Sequence, residues 1–194
     1  MPSTVRRHNV RRGNERNELG IFTNFSPIVH GIAKTSFTCH THEAQQVLLD
    51  TFEELNGHQE ARTLSIGEGE GEVDGRMRFE VGLAEGNCFV YFDKETSANL
   101  ASFLELQKRS RPLDFLLIAT YYYMKKEKEM PLKFDYHNLR FMFGQNELSL
   151  VLHHVKGTRR LPLDELLTMF FDRFERKVKE RHLGSFVVRQ IRTA

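Results

Sequence analysis

Residues 139–152 read LRFMFGQNELSLVL, and this stretch decides the fold class. Leu139, Phe141 and Phe143 alternate with Arg140 and Met142. Side chains of a strand point to opposite faces in turn, so this period of two predicts a half-buried strand. Gly144-Gln145-Asn146 supplies turn residues, and Leu148, Leu150 and Leu152 answer on the return strand. The pattern is an antiparallel hairpin.

Toward the C-terminus, Gly157 to Arg160 leaves the strand and Pro162 stands near the start of a helix. Asp164 and Glu165 fall in its first turn, and Leu163, Leu167, Phe170, Phe174 and Val178 form its apolar stripe. Cations gather at its end and Gly184 follows, as the helix dipole favours. Phe186 to Ile191 reads as a short last strand.

Toward the N-terminus, Pro112 is expected to open a helix that ends in the charged run Lys125 to Glu129. Leu113, Leu116, Leu117, Tyr121 and Met124 make its apolar side. Phe115, Ile118 and Tyr122 add apolar positions round much of the rest, so it is expected to be buried on more than one side. Asp93 caps a helix from Lys94 to about Lys108, with Leu100, Phe103, Leu104 and Gln107 on one side. Met77, Phe79 and Val81 alternate with Arg78 and Glu80, Glu85-Gly86-Asn87 turns, and Cys88 to Phe92 returns as a second hairpin. Arg62 to Ile66 is a short strand, and Gly67 to Gly75 an acidic glycine-rich loop. Thr41 offers an N-cap for a helix carrying Leu48, Leu49, Phe52 and Leu55, which ends at Asn56-Gly57. Residues 28–39 hold one strand, or two broken at Gly31.

This order does not alternate strand with helix. It predicts an α+β fold: a mostly antiparallel sheet with about four helices packed on one face. Residues 1–18, Arg-rich and almost without apolar side chains, are expected to be a disordered arm. Residues 19–194 are expected to be a single α+β domain, with a subdomain split near 108–111 as the alternative. A chain of 194 residues, 40% hydrophobic and 28% charged, can bury about 70% of its unfolded surface and needs no disulfide or metal to fold.

The net charge of +2 conceals opposed blocks. Residues 1–40 hold six Lys/Arg against two Asp/Glu, residues 41–105 four against fourteen, and residues 106–194 eighteen against ten. Such blocks imply either internal complementarity or two faces of opposite sign. Cys39 and Cys88 are too few for a disulfide framework and read as reduced core thiols, so a reducing, cytoplasmic setting is expected. The N-terminal stretch has no apolar centre of the secretory kind. Its arginines faintly suggest a transit peptide, but Gly13, Glu15 and Glu18 interrupt them and serine is sparse. The longest near-apolar run, Phe115 to Met124, is far short of a bilayer span, so no membrane partner is expected.

Few residues carry a chemical signal. Cys39, His40 and His42 are zinc-ligand types, but no second Cys/His pair accompanies them, and no metal or cofactor is expected. Glu70, Glu72, Asp74 and Gly75 match positions one, three, five and six of a calcium loop, yet the twelfth position is Val81. Asp135, His137, His153 and His154 are candidate acid–base groups. Spacing alone gives them no nucleophile–base–orienter set, and no catalytic residue is named.

The basic residues carry the functional reading. Arg6, Arg7, Arg11, Arg12 and Arg16 form an arm of the kind that neutralises phosphates. Lys108, Arg109 and Arg111 form a second cluster, and Lys156, Arg159 and Arg160 a third, both in expected loops. A fourth run, from Arg173 to Arg181, is explained by the helix dipole and by Asp172, Glu175 and Glu180. Tyrosines 121, 122, 123 and 136 could stack bases if exposed, with core packing as the default. The function expected is a non-catalytic nucleic-acid-associated module, RNA ahead of DNA because no DNA-reading motif is present. The alternative is an adaptor that docks an acidic protein partner, or a homo-oligomer.

Overall fold

The computed structural model describes residues 18–65, 71–106, 111–125 and 128–194. In chain order the elements are β1 (Glu18–Ile21), β2 (Gly31–Phe37), α1 (Thr41–Leu55), β3 (Gln59–Ser65), β4 (Glu72–Glu85) and β5 (Cys88–Tyr91). There follow α2 (Lys94–Leu106), β6 (Leu113–Lys125), β7 (Lys128–Phe143), β8 (Glu147–Lys156), α3 (Leu163–Glu180) and β9 (Phe186–Thr193). The fold is α+β, with one large antiparallel sheet. Its strands run β1-β5-β4-β6-β7-β8-β2-β9, and β3 lies on the first half of β4. The arm expected over residues 1–18 lies outside the described residues up to residue 17, and Glu18 already belongs to β1.

The hairpin at 139–152 forms as its alternation requires. Phe143 pairs with Leu148, Phe141 with Leu150 and Leu139 with Leu152. Asn146 takes a positive φ of 59° in the turn, a conformation asparagine tolerates better than most residues. The apolar row of this hairpin joins Met77, Phe79 and Val81 of β4, and Phe115, Leu117 and Ala119 of β6, in the main core. The apolar sides of all three helices complete that core, so the helices share one face of the sheet. Phe52 of α1 stacks on Phe115 at 4.1 Å between ring centroids and meets Phe141 edge-on at 5.5 Å.

Three helices are present among the described residues where about four were expected, because the segment opened by Pro112 is a strand. β6 pairs with β4 on one side and β7 on the other. Leu113, Phe115, Leu117, Ala119 and Tyr121 enter the main core. Leu116 and Ile118, on the opposite face, pack with Phe89 and Tyr136. A strand buried on both faces loses its alternation and reads as a continuous apolar run, which periodicity cannot tell from a buried helix. Pro112 stands just ahead of the strand, where no ladder donor is needed.

Smaller boundaries also move. The N-cap of α1 is His40 rather than Thr41, with Glu43 accepting the His40 backbone N–H at 2.8 Å. The segment at 28–39 yields one strand, and it begins at Gly31 rather than breaking there. Phe103, expected on the apolar side of α2, is half exposed.

Residues 22–30 cross the face opposite the helices. Phe22 lies on Phe89, with ring centroids 4.8 Å apart, and Phe25 lies beneath the Arg140 guanidinium at 4.7 Å. The crossing ends at His30, beside the last residues of β8.

Candidate functional site

Two regions of basic residues are fully visible, and their environments differ. The first is the seam between α1 and α3. Glu54 of α1 meets Arg176, Lys177 at 2.8 Å and Arg173 at 3.8 Å, and Asp50 meets Arg181. Burial alone would raise the Glu54 carboxyl, but hydrogen bonds and charge from Lys177 and Arg176 outweigh it and hold the group below its ordinary range. Glu180 and Glu175 take up Arg176 and Lys179 along α3 itself, as its i,i+4 spacing predicts. Arg62 of β3 forms a two-pronged pair with Glu165 in the first turn of α3, at 2.6 and 2.5 Å. Here the acidic middle block and the basic C-terminal block neutralise each other.

The second region is the loop from Gly157 to Pro162, which joins β8 to α3 and follows Lys156, the last residue of β8. Beneath it lies Asp135 of β7, with 0% of its surface exposed. Its Oδ1 accepts the Arg159 backbone N–H at 2.7 Å, and its Oδ2 accepts the Arg160 backbone N–H at 3.0 Å. The Tyr121 hydroxyl of β6 donates to Oδ2 at 2.6 Å and accepts the Leu161 backbone N–H at 3.1 Å. Burial disfavours the Asp135 anion, but the Tyr121 hydroxyl and the two backbone donors prevail and keep the carboxyl below its usual range. Burial and the Asp135 hydrogen bond push the Tyr121 hydroxyl up, so it stays a donor.

The loop backbone is bent to reach this anion. Gly157 has φ +129° and Arg159 φ +50°. A Cβ at Gly157 would overlap Asp135 Oδ1 and the Phe134 carbonyl, so glycine is required for space as well as for backbone angle. A buried carboxylate thus sets the path of a basic loop. Lys156 and Arg159 are exposed, and no carboxylate among the described residues forms an ion pair with either side chain.

Four histidines surround the anchor. His154 of β8 places Nε2 3.5 Å from Asp135 Oδ1, and its Nδ1 accepts from Arg159 Nε at 3.3 Å. An acceptor at Nδ1 requires the neutral ring with its proton on Nε2, which is also the tautomer that donates to Asp135. Burial lowers the pKa of His154, in keeping with that neutral state. His137 of β7 lies 5.1 Å from the His154 ring, is 0% exposed, and has no hydrogen-bond partner at either nitrogen among the described residues. Burial first, then the nearby His154, pulls its pKa down to about 3. His30 stacks on His153 at 5.0 Å and accepts the His154 backbone N–H at Nδ1.

These groups converge, but they do not form a base poised beside a nucleophile. Both ring nitrogens of His154 are engaged, and the Tyr121 hydroxyl is held by Asp135. The arrangement anchors and orients a loop.

The basic residues singled out in sequence fare unequally. Arg159 and Arg160 lie in the anchored loop and Lys156, expected in a loop, ends β8 just before it, while Arg111 lies just ahead of β6. Leu113, near Arg111, pairs with Phe141, whereas Lys156 pairs with Tyr136. Five residues of β7 separate those levels, roughly 17 Å at about 3.3 Å per residue. Arg111 and Lys156 therefore stand at separate levels along the strands. Lys108 and Arg109, and the arm residues Arg6, Arg7, Arg11, Arg12 and Arg16, lie outside the described residues. Tyr121 and Tyr136 are buried, and Tyr122 and Tyr123 are half-buried on successive positions of a strand. His40 caps α1, and His42 is exposed in its first turn, 3.7 Å from Glu105. No group of three or more potential ligand side chains that could hold a metal ion occurs among the described residues. No described helix is long and apolar enough to cross a membrane.

Sequence reasoning missed the anchor. Asp135 and Tyr121 were not linked to the loop, because 14 residues separate them in sequence and the loop lies 24 residues beyond Asp135. The signal available was Gly157 followed by two arginines, a turn glycine feeding basic residues.

Comparison with protein-family models, with curated proteins and with solved structures finds no match for this chain.

Proposed function

We propose that the chain is a non-catalytic nucleic-acid-associated binding module, RNA ahead of DNA, whose phosphate contacts centre on the loop at Lys156, Arg159 and Arg160. The observation that carries this reading is the anchoring of the loop backbone on buried Asp135. A pre-ordered basic loop loses little conformational entropy on meeting a phosphate, and such contacts position a nucleic acid without reading its bases. The contrast with the α1–α3 seam supports it: the cations there already have carboxylate partners in the same chain. The arginines of residues 6–16 would add phosphate contacts from the arm.

The test is a titration of the full chain with labelled single-stranded RNA and with duplex DNA at two salt concentrations. Binding should weaken with salt. The variant Lys156→Ala/Arg159→Ala should bind less tightly and flatten the slope of log K against log salt by about 2, one for each phosphate that is no longer neutralised. Arg176→Ala on the seam should leave that slope unchanged. No binding of either polymer at low salt would overturn the proposal, and a protein partner of acidic character would then be the reading to pursue.

A further inference from the structure

We propose that capture of a phosphate by Arg159 is linked to uptake of one proton by His154. The inference rests on the reading of the loop as a phosphate site and adds a regulation to it. Without ligand, the Arg159 Nε–H donates to Nδ1 of His154 at 3.3 Å, while Nε2 of the same ring faces Asp135 Oδ1 at 3.5 Å. Only a neutral imidazole can make both contacts. A proton added at Nδ1 turns that acceptor into a donor and sets an imidazolium against a guanidinium, so Arg159 must leave. Conversely, a phosphate that draws the guanidinium away leaves Nδ1 without its donor. The ring can then take a proton from solvent, and the new N–H can itself point at the anion. Asp135 stabilises the imidazolium from the Nε2 side. The phosphate is then met by two cationic groups where one stood before, and binding and protonation favour each other.

The surroundings of His154 are consistent with this exchange. From β7 it faces Asp135 and His137, from the loop Arg159, from the segment before β2 His30, and its neighbour on β8 is His153. Asp135 is the anion among them, fixed by Tyr121 and two backbone amides. Arg159 is the cation whose departure changes the balance. The His154 side chain is 8% exposed, so it lies close to solvent without being immersed in it.

The experiment measures binding of a single-stranded oligouridylate by the full chain between pH 5.5 and 8. The phosphodiesters of that probe do not titrate in this range. Calorimetry in buffers of different ionisation enthalpy counts protons taken up on binding. The wild type should bind more tightly as pH falls, with uptake approaching one proton and affinity changing up to tenfold per pH unit. His154→Asn keeps an acceptor near the Nδ1 position but cannot titrate, so it should bind the same oligomer with a nearly flat pH profile. A flat profile in the wild type, or an equal slope and uptake in His154→Asn, overturns the linkage while leaving the loop as a phosphate site. Absence of binding at every pH overturns the loop reading and the linkage together.

Discussion

The α1–α3 seam and the loop over Asp135 are both rich in cations, yet they solve opposite problems. In the seam the acidic partners are side chains, Glu54 and Asp50, and they take the cationic heads of Arg173, Arg176, Lys177 and Arg181. In the loop the acidic partner is Asp135, and it takes the backbone amides of Arg159 and Arg160. An acid that binds the cationic head consumes the charge. An acid that binds the backbone fixes its path instead, and the exposed side chain of Arg159 has no carboxylate partner among the described residues. Clusters of similar composition are thus organised differently, according to which atoms the anion meets.

The largest effect expected from breaking this comparison lies at Asp135. Asp135→Asn places an amide donor where Tyr121 and two backbone amides already donate, inside a site with no exposure. Leaving buried donors without an acceptor should cost about 3 kcal/mol or more. Chemical denaturation should report the loss, and Glu54→Gln should show a much smaller one.

Next comes pH. His137 is neutral in the fold, with its pKa near 3 against an ordinary value of 6.5. The unfolded chain therefore binds a proton in that window which the folded chain refuses. Stability is fully present above about pH 6.5 and falls as pH drops from there toward 3. His30, His153 and His154 are shifted the same way and add to the slope. Urea titrations at pH 7 and pH 5 should show the loss, and His137→Leu should reduce it. At pH 7 that variant should be as stable as the wild type or more so, because it removes a buried ring whose nitrogens have no partner.

The smallest effect sharpens the contrast. Glu54 is partly exposed, so Glu54→Gln should cost about 1 kcal/mol or less. It releases Arg176 and Lys177 from a carboxylate, however, and should strengthen salt-dependent binding of a polyanion at low ionic strength. Unchanged binding in this variant would mean that seam cations do not reach phosphate even when released.

Much of the fold was legible in residue order. The hairpin at 139–152 and the stripe of α3 form where period and turn residues put them, because each buries one face only, and the hairpin at 77–92 forms about its expected turn. β6 was not legible, because Leu116 and Ile118 are covered on one face while Phe115 and Leu117 are covered on the other. The short β1 was missed because four residues, only partly buried, carry too little pattern. Of the candidate site, the basic loop was visible as Lys156, Arg159 and Arg160, but its anchor was not. The charge blocks announced complementarity without naming the partners, and Glu54 was not among the acids expected to pair with α3.

Residue order alone was enough for the antiparallel α+β class, the solvent-facing and core-facing sides of its clearest strands, and the existence of separate basic clusters. These follow from local periodicity and composition, which need no knowledge of distant neighbours. What the packed fold adds is that residues 113–125 are a central strand, that Arg111 and Lys156 stand at separate levels along the strands, and that a buried carboxylate holds the loop between β8 and α3. Burial on a second face, and the meeting of an anion with particular amides, depend on residues far apart in the chain. Local pattern carries no record of them.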